Sequence, residues 1–199
     1  MTDAAFTADR LVRFWQTDGL RNITPPGVPD PEGFELGSFL RAALAPREGD
    51  VVLDYGCGRG RLARFFDPAQ YLGVDVNRYA IEAARAANPA HRFETLLFGG
   101  AGPASDIVFA YTVLLHVPDE LIPDVVLALT SAPVVVVVEI LGRHWRRSCG
   151  DFPAFNRERM DYEAAFAARA YELHYEVRVP YRHYPGTDIS ALRFVRSGK

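Results

Sequence analysis

Cysteine is scarce in this 199-residue chain: Cys57 and Cys149 are its only two. Two thiols cannot build a disulfide framework or supply the four ligands of a cysteine-rich zinc site, and a reducing compartment disfavours a bond between them. Long apolar runs are missing too. The longest, the five valines at 134–138, falls far short of the roughly 20 residues that a membrane span needs. No charge dominates: the formal net charge of −3 gives no global pull toward nucleic acid or anionic lipid. The opening Met1-Thr2-Asp3 lacks the basic start and apolar stretch of a signal peptide, so a cytoplasmic protein without a membrane partner is expected. What is present, 49% hydrophobic and 24% charged residues, is enough for one core at this length and predicts a single domain over 1–199.

Hydrophobic spacing divides the chain. Amphipathic helices are predicted at 8–16 and 32–44, separated by a proline-rich loop at 24–31. From residue 49 strands and helices alternate. Strands are predicted at 51–55, 71–76, 92–97, 106–111 and 134–141, and helices at 61–66, 79–87 and 120–129. Continuous apolar strands between helices predict an α/β fold with a parallel sheet covered on both faces. The tail changes character. A helix at 162–169 precedes longer strands at 171–181 and 189–196, joined by a turn at Pro185-Gly186, which predicts an antiparallel pair.

The stretch Val51-Val52-Leu53-Asp54-Tyr55-Gly56-Cys57-Gly58-Arg59-Gly60-Arg61-Leu62 carries the first functional signal. A strand runs into a turn whose glycines let a ligand approach the backbone closely. Cys57 suits this turn by its small size. The dinucleotide fingerprint wants G-x-G-x-x-G; here Gly56, Gly58 and Gly60 give G-x-G-x-G, and Arg61 takes the place of the last glycine. No G-K-[ST] follows, which excludes a P-loop. Asp54, two residues before the first glycine, would repel a pyrophosphate and suits an ammonium group. Asp75, ending the next strand 17 residues after Gly58, can accept both hydroxyls of a ribose, or cap the helix that follows. Val76 can lie against a purine. Two acids beside a glycine turn describe a site for a nucleoside that bears an amino acid and no phosphate.

These residues resemble the class I S-adenosylmethionine-dependent methyltransferases. Leu53-Asp54-Tyr55-Gly56-Cys57-Gly58-Arg59-Gly60 is similar to that family's first motif, Gly73-Val74-Asp75 to its ribose-binding motif, and Asp106-Ile107-Val108-Phe109-Ala110-Tyr111-Thr112-Val113-Leu114-Leu115-His116-Val117-Pro118 to its fourth-strand motif. The resemblance implies a Rossmann-like, doubly wound, mostly parallel seven-stranded sheet with a C-terminal antiparallel hairpin. It implies S-adenosylmethionine as cofactor, with Asp54, Tyr55, Gly56, Cys57, Gly58, Asp75, Val76 and Tyr111 as the cofactor-binding set. It also divides the domain into N-terminal helices at 1–48, which in this family often close the site, and a core at 49–199 with an acceptor-side insertion near 142–160. The acid that many members carry after the third strand, to hold the adenine amino group, is replaced by Leu96 or Leu97. Glu94 or backbone groups would have to serve.

The expected reaction is methyl transfer to a small-molecule acceptor. His116, just past the fourth strand, is the candidate general base, because its ordinary pKa lies near neutrality; anchoring the turn before Pro118 is its other reading. His144, Arg146 and Arg147 follow the fifth strand and form either a lid that pairs with a carboxylate or phosphate on the acceptor or a solvated face. Tyr181, His183 and Tyr184 line the acceptor pocket or belong to a surface hairpin. Phe14 and Trp15 read as core. A fold does not fix a reaction, so cyclisation, transfer of another arm of the cofactor, and a silent binding protein stay open. Net charge and the lack of an Asn-Pro-Pro-Tyr-type motif argue against a nucleic-acid acceptor.

Overall fold

The computed structural model describes residues 7–25, 34–147, 154–181 and 187–198. Seven strands form one sheet: β1 (Val52–Tyr55), β2 (Tyr71–Asp75), β3 (Arg92–Thr95), β4 (Ile107–Tyr111), β5 (Val134–Ile140), β6 (Tyr171–Pro180) and β7 (Asp188–Arg196). They lie in the order β3-β2-β1-β4-β5-β7-β6. The first five run parallel, and β7 pairs antiparallel with both β5 and β6. This is the doubly wound sheet with an antiparallel C-terminal pair that the sequence predicted. The Pro185-Gly186 turn and Cys149 lie outside the described residues.

The valine run of β5 shows why the strand is apolar over 134–138. Val135 and Val137 face one layer, with Val125, Val126 and Leu129 of α4 (Ile122–Leu129) and Phe166 of α5 (Arg159–Ala167). Val136 and Val138 face the other, with Leu36, Phe39, Leu40 and Leu44 of α2 (Leu36–Leu44). Period-two alternation between two apolar layers leaves no side for polar residues.

Helix starts follow side-chain caps. Asn77 Oδ1 accepts from Tyr79 N and Ala80 N and opens α3 (Arg78–Ala87). The helix predicted from residue 32 is not yet helical at 34 and 35; Glu35 caps α2 by accepting from Gly37 N and Ser38 N. Glu158 and Asp161 form a capping box that starts α5 at Arg159, three residues before the predicted 162. Such caps contribute about 1 kcal/mol each. The first helix, α1 (Ala8–Gln16), keeps its predicted bounds.

Two predicted helices are corrected. Residues 61–66 contain only a short 3₁₀ segment, Ala63–Phe65. Gly56, Gly58 and Gly60 hold φ of +80°, +54° and +74°, which keeps the chain turning until residue 60. Pro68 follows, so too few residues remain to pay back a helix nucleus. Residues 119–121 likewise form a 3₁₀ turn before α4 begins at Ile122.

Candidate functional site

The strand order reverses between β1 and β4, where open α/β sheets bind ligands at the carboxyl ends of their strands. Here the ends of β1, β2 and β4 open into a cavity of about 220 Å³. Asp54, Tyr55, Gly56, Cys57 and Gly58 line it on one side, Asp75 and Val76 on another, and Tyr111, Thr112, Val113, His116 and Val117 on a third. The structure therefore brings the whole expected cofactor-binding set together with the candidate base.

The turn's geometry requires glycine at two positions. A Cβ on Gly56 would sit 2.5 Å from Val113 Cγ2, and one on Gly58 would sit 2.6 Å from Ile23 Cγ2, both at positive φ, where other residues are strained. The turn is folded onto its neighbours by its own amides. Gly56 N and Cys57 N both donate to Val74 O at 2.7 and 3.0 Å, and Gly60 N donates to Cys57 O at 3.0 Å. Gly58 N donates to Asp75 Oδ2 at 2.8 Å. Asp75 Oδ1 accepts from Asn77 N at 2.8 Å. Asp75 thus ties the turn to β2, and the side-chain cap of α3 is Asn77 instead.

Burial shapes the chemistry. Asp54 is 1% exposed, and its Oδ2 accepts from Tyr71 OH at 2.7 Å. Burial pushes its carboxyl up to about 7, against the Tyr71 hydrogen bond, so it sits near its midpoint at neutral pH. Burial also raises Asp75, opposed by the amides of Asn77 and Gly58. It holds the Cys57 thiol well above its ordinary value, which keeps Cys57 a packed thiol with no nucleophilic role. Arg61 also lines the cavity, its guanidinium 5.5 Å from the Tyr111 ring centroid.

The wall opposite the sheet comes from the N-terminal segment, through Leu11, Val12, Trp15, Asn22, Ile23 and Thr24. Gln16 Nε2 donates to Val76 O at 3.1 Å, and Asn77 Nδ2 donates to Trp15 O at 2.6 Å. These bonds fix the end of α1 over β2. Trp15 meets His116 edge-on, with ring centroids 5.1 Å apart. Trp15 packs against the main core, as the sequence reading expected, and also forms part of the cavity wall.

His116 lies in the turn Leu114–His116, buried, with its amide bonded to Val113 O at 3.0 Å. Thr112 precedes it at φ +52°, a left-handed position that costs a non-glycine residue about 1 kcal/mol or more.

The predicted acceptor residues do not join this cavity. Gly142, at φ +117°, turns the chain after β5 toward α5. There Arg143 pairs with Asp161, and Arg146 with Asp119 at 2.5 Å. The Arg147 backbone bridges Ala154, and His144 packs against Trp145 with centroids 4.7 Å apart. Tyr181 lies on the α2 side of the sheet, its N–H bonded to Thr187 O. None of His144, Arg146, Arg147 and Tyr181 lines the cavity; Arg146 is held by Asp119 instead. His183 and Tyr184 lie outside the described residues. Leu96 and Phe98 do line it, so its wall after β3 is apolar.

Sequence reasoning missed a buried polar group behind the His116 turn: Glu139, Asn156 and Arg157 are 0%, 3% and 4% exposed. The lone acid inside a run of valines, Glu139, was the available signal.

Comparison with known proteins matches residues 53–132 to a family described as methyltransferase domain. A ribosomal RNA small subunit methyltransferase C of Shigella flexneri is 37% identical over 98 residues, which cover 47% of this chain and 29% of that one. The chain thus aligns with under a third of that relative's length. Among solved structures, magnesium protoporphyrin IX methyltransferase from Synechocystis, with bound S-adenosylmethionine, superposes with a TM-score of 0.70 at 20% identity, over 98% of this chain and 100% of that one. The 1,6-didemethyltoxoflavin-N1-methyltransferase of Burkholderia thailandensis, with bound 1,6-didemethyltoxoflavin and S-adenosylhomocysteine, gives 0.69 at 15% identity, over 100% and 94%.

Proposed function

We propose that this chain, whose residues 53–132 match a methyltransferase domain, is a class I S-adenosylmethionine-dependent methyltransferase that methylates a neutral, largely apolar small molecule held between the His116 turn and the N-terminal segment. The observation that carries this reading is the composition of one cavity: two buried acids, Arg61 and a glycine turn on one side, and on the other a mainly apolar wall in which His116 is joined by Asn22, Thr24 and Thr112. The acids and the turn fit the cofactor, since Asp54, Asp75, Gly56 and Gly58 all line this one cavity. Asp75 would accept from the ribose hydroxyls, Asp54 and the turn would hold the methionine end, and Val76 and Leu96 would flank the base.

Bound S-adenosylmethionine supplies a methyl group on a positively charged sulfur. The chain's own contribution is alignment of an acceptor atom with that methyl, which can account for much of the acceleration, and exclusion of water by Leu11, Val12, Trp15 and Ile23. Where the acceptor is a hydroxyl, His116 would take its proton. The anionic acceptor suggested by Arg146 and Arg147 loses its support, because Arg146 is bonded to Asp119 and neither arginine lines the cavity. The ribosomal RNA methyltransferase relative favours RNA as a second reading; the net charge of −3 gives RNA no general attraction.

Calorimetry tests the reading. S-adenosylmethionine and S-adenosylhomocysteine should bind at micromolar level, about −8 kcal/mol, and NAD far more weakly. Tight NAD binding without S-adenosylmethionine binding refutes it. Methyl-labelled cofactor offered with small phenols and amines, or with ribosomal RNA, separates the two acceptor classes.

A further inference from the structure

The segment 112–117 contributes Thr112, Val113, His116 and Val117 to the cavity wall, yet it is held from behind by residues that do not line the cavity. Glu139, the penultimate residue of the buried strand β5, accepts through Oε1 from Leu114 N at 2.7 Å. Arg157 grips the other side: Nη1 donates to Leu114 O at 2.8 Å, and Nη2 to Val117 O at 2.7 Å and to Asp119 Oδ1 at 2.6 Å. Phe155 N, two residues earlier, donates to Leu115 O at 2.5 Å. Asn156 Nδ2 donates to Ile140 O at 2.7 Å, which fixes the Arg157 strand segment to the end of β5.

Isolated buried charges are costly, and a pair out of water is retained only with good geometry and satisfied hydrogen bonds. Here the fork of one guanidinium spans two carbonyls that flank His116, and one carboxyl oxygen holds the amide that opens the turn. The 3₁₀ turn itself supplies only the bonds His116 N to Val113 O and Val117 N to Leu114 O. Such a short turn has poor intrinsic stability. Its geometry is therefore held by two buried side chains, the Arg157 guanidinium and the Glu139 carboxyl.

We propose that Glu139 and Arg157 are positioning residues for the acceptor side of the site, a clamp on both faces of the 114–117 turn that places His116 against Trp15 and the cavity. The inference rests on the functional reading above. The clamp sets where His116 stands; it touches neither cofactor nor acceptor. Arg157 therefore matters for reach and planarity as much as for charge. A lysine could not span both carbonyls as the flat guanidinium does.

The test reads the position of His116 directly, with S-adenosylhomocysteine as the probe of the cofactor half. In ¹³C-histidine-labelled protein, the Trp15 ring shifts the His116 Cε1–H resonance, and Trp15→Leu supplies the unshifted reference. The expected result is that Arg157→Met and Glu139→Leu move this resonance most of the way to the reference. Glu139→Gln, whose amide oxygen still accepts from Leu114 N, should keep the parent position. Calorimetric affinity for S-adenosylhomocysteine should stay within a few-fold in all of them. If the two severe variants fail to fold, Arg157→Lys decides: it should shift His116 toward the reference while the rest of the spectrum and the cofactor affinity hold. An unmoved His116 in folded Arg157→Met or Arg157→Lys, or a Glu139→Gln shift as large as any severe variant's, overturns the clamp. Failure of the parent protein to bind S-adenosylhomocysteine would instead overturn the functional reading, leaving the His116 measurement to judge the clamp alone.

Discussion

Replacing Glu139 by glutamine should change how stability depends on pH, and the size of the change can be worked out. Burial lifts the Glu139 carboxyl from an ordinary 4.5 to about 8, opposed by the Leu114 amide and the Arg157 charge. Between those limits the folded chain keeps a proton that the unfolded chain releases. Rising pH therefore favours unfolding, by up to about 1.4 kcal/mol per pH unit. The contribution is complete below 4.5, and it is lost as pH rises through about 8. Asp54 acts in the same sense, from 3.8 to about 7, so the two overlap below pH 7. From pH 7 to 8 Asp54, which starts at its midpoint, accounts for a loss of about 0.4 kcal/mol, and integrating the linkage relation for Glu139 gives a further loss of about 1 kcal/mol. Glutamine keeps the shape and the Leu114 hydrogen bond but cannot titrate. Urea unfolding at pH 7.0, 7.5 and 8.0, with slopes checked for constancy, should show a decline in Glu139→Gln that is smaller than the parent's by about 1 kcal/mol. Equal declines in both proteins would refute the argument, since a carboxyl with an ordinary pKa is fully ionised in both states over that interval.

Two further outcomes follow from the cofactor side. Tyr71→Phe should destabilise the protein by about 1–3 kcal/mol, since it strips a buried Asp54 oxygen of its partner, and should raise the Asp54 pKa; urea unfolding and carboxyl-labelled NMR titration report each. Asp75→Ala should weaken S-adenosylhomocysteine binding by about 2–3 kcal/mol through lost charge-assisted hydrogen bonds and lower the melting temperature modestly, because the amides of Gly58 and Asn77 lose their acceptor; unchanged affinity by calorimetry would reduce Asp75 to a tether for the turn.

The cofactor half of the site was legible because it is local in sequence. Gly56, Gly58, Asp54 and Asp75 sit at strand ends whose apolar pattern was plain, and the sheet then brings them together. The acceptor half was not legible because its neighbours are distant. Trp15 and Asn77 are 62 positions apart and joined by a hydrogen bond; nothing in the 8–16 helix pattern says which strand it will cover. The basic run at 143–147 misled for the same reason. Its direction depends on Gly142, and its charges are claimed by Asp119 and Asp161, which only folding brings near. The helix expected after Gly60 failed because periodicity was read without the cost of three positive-φ glycines at alternate positions and a following proline.

The way the glycine turn uses its own amides has a consequence for which nucleotides it admits. Phosphate-binding turns work as anion traps: free N–H groups converge on the phosphate and the dipole of a following α-helix adds positive potential. In this chain the amides of Gly56, Cys57, Gly58 and Gly60 all point back into the fold, and only a single 3₁₀ turn follows. There is neither a nest of donors nor an aligned dipole, and two carboxyl groups stand beside the turn. ATP and NAD, both abundant competitors carrying the same adenosine, would bring negative charge to a turn whose bonded amides offer it no compensation. Discrimination against them is thus built into the backbone, by what it withholds, before any side chain has recognised the sulfonium.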